Sequence, residues 1–170
     1  MLELVNSHND SDNEPEIILG EDDYGYAGLI IQNLRRAGLK NNIMHFNDGG
    51  KALDFLFRRG KLPHRQDGKS YIAILDVRMP GVDGIEVLRK IKGDNALKNI
   101  PTFMMSSTDD PGVIDICHGM GCSKYIVKPK NYDQLKETIF QLGYHLLEEV
   151  IPAQKKKLRP KPYKNMNDAV

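Results

Sequence analysis

Four separated positions in the chain carry residues that could act together on a charged group. They are Glu21-Asp22-Asp23, Asp76, Ser106-Ser107 and Lys128-Pro129, and each follows a short apolar run. Three of the carboxylates, on Glu21, Asp22 and Asp76, would repel one another if the fold brought them to one place. A pair ~5 Å apart costs roughly 3 kcal/mol at an effective dielectric of ~20. Such a cluster needs a cation or must hold protons. All-oxygen ligands with open positions suit Mg²⁺, which keeps waters and often recruits a phosphate. Lys128 would bring positive charge to the opposite side, and the Ser106 hydroxyl could donate to an oxyanion. Together these groups could hold a phosphoryl group on a carboxylate, with the metal and the lysine sharing the charge on its oxygens.

Taken singly, each residue has a plainer reading. Asp23 suits the N-cap of a following helix, and Glu21 or Asp22 alone could be a cap as well. A lone Asp76 at a strand end is often a turn residue, and a lone Lys128 is usually a solvated charge. Their conjunction at four separate strand ends is what argues for a site.

The elements that must position these groups are visible as alternating patterns. Apolar runs at Ile17–Gly20, Ile43–Phe46, Ile72–Leu75, Thr102–Met105 and Tyr125–Val127 predict five strands. Between them lie helical stripes: Ala27, Ile30, Ile31, Leu34 and Ala37; Ala52, Phe55 and Leu56; Ile85, Leu88 and Ile91; Val113, Ile114, Cys117 and Met120; and Leu135, Ile139, Leu142 and Leu146. Strands that are apolar throughout are expected where helices cover both faces of a parallel sheet. Right-handed crossovers then favour a doubly wound α/β sheet of five parallel strands in the order 2-1-3-4-5. Its site should lie outside the carboxyl ends of the strands, at the switch point between the first and the third. Pro80, Gly81 and Gly84 fix the turn after Asp76, and Asp83 suits the cap of the next helix.

The last helix carries a second apolar stripe, Phe140, Tyr144, Leu147 and Ile151, on another face. A helix lying on a sheet needs only one stripe. Either the chain's own tail or a neighbouring helix covers the second, or it is a protein interface; the interface is the reading adopted. Residues 1–15 are polar and acidic and are expected to be a disordered arm. Residues 16–151 form the folded domain. Residues 152–170 read as a basic, disordered tail, with Lys155, Lys156, Lys157, Arg159 and Lys161 prominent. That tail could touch nucleic acid or an acidic partner, but a solvated tail is the simpler reading. Nucleic-acid binding is not expected, because no output domain follows. About 40% hydrophobic residues suffices for a core. No run approaches the ~18 apolar residues of a membrane span, and Met1–Pro15 is not a signal peptide. Cys117 and Cys122 read as reduced thiols of a cytoplasmic protein. Together with His118 they are too close and too mixed for a zinc site.

The segments "IILGEDD", "ILDVRMPGVDG", "IPTFMMSSTDD" and "GCSKYIVKPKNYDQL" resemble, in order and separation, the response-regulator receiver domains of two-component signalling. The resemblance spans about residues 15–150 and implies a flavodoxin-like (βα)5 fold. It implies Asp76 as phosphoacceptor, and Asp22 and Asp76 as direct ligands of Mg²⁺ (or Mn²⁺), with Glu21 acting through water. The main-chain carbonyl of Arg78 would be the third protein ligand. Ser106 and Lys128 would bind the phosphoryl group, Ser106 and Tyr125 would act as the switch, and the Lys128–Pro129 bond would be cis. "GGKALDFLFRRGKL" and "YHLLEEVIPA" further resemble stand-alone regulators that pair with phytochrome-like sensor histidine kinases and are often dimers through the last strand and helices; that implies a homodimer through the last helix, using Phe140, Tyr144, Leu147 and Ile151. Gly20 departs from the branched apolar residue usual at its position, which should loosen the first strand beside the acids. Arg78 puts a long cation beside the acceptor.

Other readings fit less well. A haloacid-dehalogenase-type phosphohydrolase needs an acid two residues after its nucleophile, where this chain has Arg78. A flavodoxin-like FMN site needs a Ser/Thr/Gly-rich first loop, and Glu21-Asp22-Asp23 would repel its phosphate. Asp48-Gly49-Gly50-Lys51-Ala52 lacks the earlier Gly and the Ser/Thr of a P-loop. A binding module that works without phosphorylation is the remaining alternative. It is disfavoured because none of the reacting groups is missing.

Overall fold

The computed structural model describes residues 14–61 and 63–158. The expected disordered arm, 1–15, therefore lies outside the described residues up to residue 13, and so does the tail beyond residue 158.

Five strands form one parallel sheet in the order 2-1-3-4-5: β1 (Glu16–Gly20), β2 (Ile43–Phe46), β3 (Tyr71–Leu75), β4 (Thr102–Ser106) and β5 (Lys124–Val127). The three inner strands are buried almost throughout, as continuous apolar runs require when both faces are covered. The edge strands are not: β2 is half-buried, and β5 exposes Lys124 and Val127. Helices α1 (Tyr24–Arg36) and α5 (Tyr132–His145) cover one face. Helices α2 (Gly49–Leu56), α3 (Gly84–Gly93) and α4 (Pro111–Gly119) cover the other. Each helix starts on a side-chain cap, from Asp23, Asp48, Asp83, Asp110 and Asn131 in turn.

The register decides where the functional groups fall. Gly20 pairs with Leu75, so Glu21 and Asp76 leave adjacent strands side by side. The ladder runs one residue further, with Asp76 N–H donating to the Gly20 carbonyl at 2.8 Å. Ser106 pairs with Val127, and Lys128 N–H donates to the Ser106 carbonyl at 2.7 Å. The space a side chain on Gly20 would take is occupied. A Cβ there would lie 2.9 Å from Leu75 Cδ2 and 3.4 Å from Met79 Cε, so those side chains already fill the space. The turn after Asp76 is held more tightly still. A Cβ on Gly84 would lie 1.9 Å from the Asp76 carbonyl oxygen, so only glycine lets α3 start this close to the strand end.

The C-terminal helix differs from expectation, and the cause is a π-helical segment, Leu146–Val150, between α5 and α6 (Ile151–Leu158). One turn with i→i+5 bonds takes in an extra residue. It therefore moves Ile151 onto the core stripe of Leu135, Ile139, Leu142 and Leu146. Ile151 is only 5% exposed and packs inside its own chain. It does not belong to an outward stripe, and the interface assigned to it is corrected accordingly. Leu147 is partly buried against the same core, and Phe140 lies under the Arg36 guanidinium, 5.0 Å from its ring centroid. Of the four residues only Tyr144 is exposed, at 54%. The helix also continues through Leu158, so residues 152–158 are helical rather than part of an unstructured tail. Lys155 there pairs with Glu14, tying the two ends of the domain together.

Candidate functional site

The acid loop after β1 is built from local bonds. Asp23 accepts the Tyr26 N–H at 2.8 Å and so caps α1, and its own N–H donates to Glu21 Oε1 at 3.2 Å. His45, on β2, donates Nε2–H to the Glu21 carbonyl at 2.7 Å, because a carbonyl can only accept. The Tyr24 ring stands edge-on to His45 at 5.5 Å. Glu21 is 2% exposed and Asp76 9%, while Asp22 faces solvent. One carboxylate oxygen from each of the three lies within 4.8 Å of the others, and among the described residues no other such cluster of His, Cys, Asp or Glu occurs.

Lys128 closes the cluster from β5. Its ammonium is 2.6 Å from Glu21 Oε2 and 3.6 Å from Asp76 Oδ1, in a site where the lysine is 8% exposed. Burial pushes both carboxyls above their ordinary range; Lys128 pulls them back, but not far enough. The acid cluster therefore remains short of positive charge with its lysine in place. Three converging carboxylates, one of them open to solvent, fit a hard divalent cation that keeps part of its water.

Ser106 is buried, and its Oγ accepts the Thr108 N–H at 3.3 Å. Tyr125 is half-buried and donates its hydroxyl to the Thr108 carbonyl at 3.0 Å. Burial raises the pKa of that phenol. Both residues thus hold the same loop residue. Arg78 is exposed, between buried Val77 and Met79, on the loop that returns from Asp76 to Asp83 and the start of α3. Asp83 accepts the Glu86 N–H at 2.8 Å, as its capping role required. Pro129 lines a cavity of about 400 Å³ beside the acid cluster, together with Asp23, Tyr26, Tyr132 and Leu135.

Two contacts of the site had no signal in the pattern of residue types. Tyr26 places its ring 4.6 Å from the Lys128 ammonium, and His45 holds the acid loop from a neighbouring strand. The only hint was a histidine in an otherwise apolar β2. Cys117 and Cys122 are buried free thiols, with Cys117 pushed up to about 11 by burial, so it is protonated at neutral pH. Cys122 Sγ lies 3.7 Å from His118 Nδ1.

Comparison with known proteins agrees with this geometry. Residues 17–140 match the family described as the response regulator receiver domain. The probable methanogenesis regulatory protein FilR2 of Methanothrix harundinacea is 32% identical over 133 residues, covering 77% of this chain and 83% of that protein. A response regulator receiver domain from Rhodospirillum rubrum superposes with a TM-score of 0.71 at 34% identity, covering 78% of this chain and 93% of the other. The bacteriophytochrome response regulator RtBRR gives a TM-score of 0.63 at 32% identity, covering 86% and 89%. No helix among the described residues is long and apolar enough to cross a membrane. By this family match, and in keeping with its strand order, the three acids at the sheet mouth and the lysine between Glu21 and Asp76, the chain belongs to the response regulator receiver family.

Proposed function

We propose that Asp76 accepts a phosphoryl group from the phosphohistidine of a sensor kinase. Its carboxylate oxygen attacks phosphorus, an O–P bond forms, the P–N bond breaks, and the electron pair returns to the imidazole nitrogen. The observation that carries this reading is Lys128, held between Glu21 and Asp76 at 2.6 and 3.6 Å. From there its ammonium could share the negative charge on the oxygens of a phosphoryl group arriving at Asp76. Glu21, Asp22, Asp76 and the Arg78 carbonyl would hold Mg²⁺, with Mn²⁺ an acceptable substitute. When bound, the metal supplies charge neutralisation at the transferring phosphoryl oxygens.

The signal passes through Thr108. Ser106 and Tyr125 bind opposite ends of that residue's backbone. The Ser106 hydroxyl has its proton free to donate to a phosphoryl oxygen, and if the side chain rotates to do so it draws the Thr108 loop with it and releases the hydrogen bond from Tyr125. Helix α4, beside this loop, buries only Cys117 fully, which suits a face that repacks between two states. The likeness to RtBRR supports a phytochrome-like kinase as the phosphodonor. A homodimer through the β5–α5 edge, a setting inside the cytoplasm and Tyr144 as the exposed contact complete the reading. Tyr144 lines an open groove of about 500 Å³ with Lys124, Ile126 and Gln141.

Incubation with acetyl phosphate and Mg²⁺ tests the acceptor. Intact mass should rise by one phosphoryl group in the wild type and stay unchanged in Asp76→Asn. Equal modification of both would remove the assignment.

A further inference from the structure

We infer that Tyr26 is a positioning residue for Lys128, setting the ammonium against the acids through its π-face; this rests on the phosphoacceptor reading above. The Tyr26 ring centroid lies 4.6 Å from Lys128 Nζ, inside the range of a cation–π contact. The acids bind the same ammonium at 2.6 Å through Glu21 and at 3.6 Å through Asp76. An ammonium has three donors and no acceptor, and a hydrated one drifts toward water. The aromatic face supplies attraction where a carboxylate would have added more repulsion to an already crowded cluster.

The position of the ring is fixed locally. Tyr26 lies in the first turn of α1, and its N–H is bonded to the capping carboxylate of Asp23 at 2.8 Å. Yet the side chain stays 41% exposed, so it is not a core residue placed there to fill the space between α1 and the sheet. It forms a cover between the lysine and solvent, on the wall of the cavity shared with Pro129. A ring in this place constrains the lysine without competing for the carboxylate oxygens.

A simple packing role and a cation–π role make different predictions, since leucine fills space and phenylalanine keeps the π-face. The rate of modification by acetyl phosphate and Mg²⁺ should fall roughly threefold to tenfold in Tyr26→Leu and stay within about twofold of wild type in Tyr26→Phe. In a Lys128→Ala background the Tyr26→Leu change should have no further effect, as expected of a residue that acts only through the lysine. Thermal unfolding of each variant verifies that the fold is retained. A wild-type rate in Tyr26→Leu, equal slowing in Tyr26→Phe, or the same slowing with and without Lys128 would each overturn the inference. Failure of the wild type itself to be modified at Asp76 would instead overturn the phosphoacceptor reading.

Discussion

Replacing Lys128 by methionine removes the ammonium that, among the described residues, pairs with Glu21 and Asp76, and leaves a side chain of similar length. At an effective dielectric of about 20, the two attractions at 2.6 and 3.6 Å amount to about 6 and about 5 kcal/mol. Most of that offsets the cost of taking an ammonium out of water. What decides the outcome is the pair of buried acids left behind. Breaking a buried ion pair on one side typically costs about 3–5 kcal/mol. The stranded acids can escape part of this cost by binding protons, at about 1.4 kcal/mol per pH unit for each group. The cost of the substitution therefore depends on pH. Glu21 and Asp76 already sit above their ordinary range, so each holds its proton more tightly folded than unfolded. Stability that depends on them is present at low pH and is lost as pH rises through the folded-state values. Without Lys128 those values rise further. Urea unfolding should show Lys128→Met less stable than wild type by about 3–5 kcal/mol at pH 8 and by only about 1–2 kcal/mol at pH 5. Millimolar Mg²⁺ should recover much of the loss at pH 8, because it neutralises the same carboxylates. A variant as stable as wild type at both pH values, or equally damaged at both, would refute the electrostatic description of the site.

Two further pairs of substitutions probe the scaffold and the C-terminal helix. Gly84→Ala should cost about 2–4 kcal/mol in a thermal melt, because the added Cβ would fall 1.9 Å from the Asp76 carbonyl oxygen and force the backbone apart; Gly93→Ala, with open space around it, should be neutral or mildly stabilising. Ile151→Asp should destabilise the domain by about 3 kcal/mol or more, because that side chain is core, whereas Tyr144→Asp should leave domain stability within about 0.5 kcal/mol and move any dimer toward monomer in sedimentation.

Much of this molecule could be read from residue types because its strongest constraints are local or periodic. A buried parallel strand such as Tyr71–Leu75 must be apolar throughout, and a carboxylate directly after it stands out. Asp23 and Asp83 announce the helices they cap. Once the strand order is known, the register brings Glu21, Asp22, Asp76 and Lys128 together. The parts that escaped are those set by contacts between distant elements or by a change of period. The gap of five from Leu146 to Ile151 belongs to one core stripe only if a π-turn intervenes. Without that turn Ile151 falls four residues after Leu147, and the pattern imitates a second apolar face. The space beside Gly20 was filled by Leu75 and Met79, neighbours that the first strand alone does not reveal. The same holds for His45 and Tyr26, whose bonds to the site cross between strands and helices.

The central claim is that Asp76 carries the phosphoryl group, and borohydride trapping tests it most directly. An acyl phosphate is reduced to the alcohol, so a phosphorylated aspartate becomes homoserine, which peptide mass mapping locates. After treatment with acetyl phosphate and Mg²⁺, homoserine should be found at residue 76 alone, and only when the phosphodonor is present. Homoserine at Asp22, Asp23 or Asp83, or a phosphorylated protein in which residue 76 remains aspartate, would contradict the account.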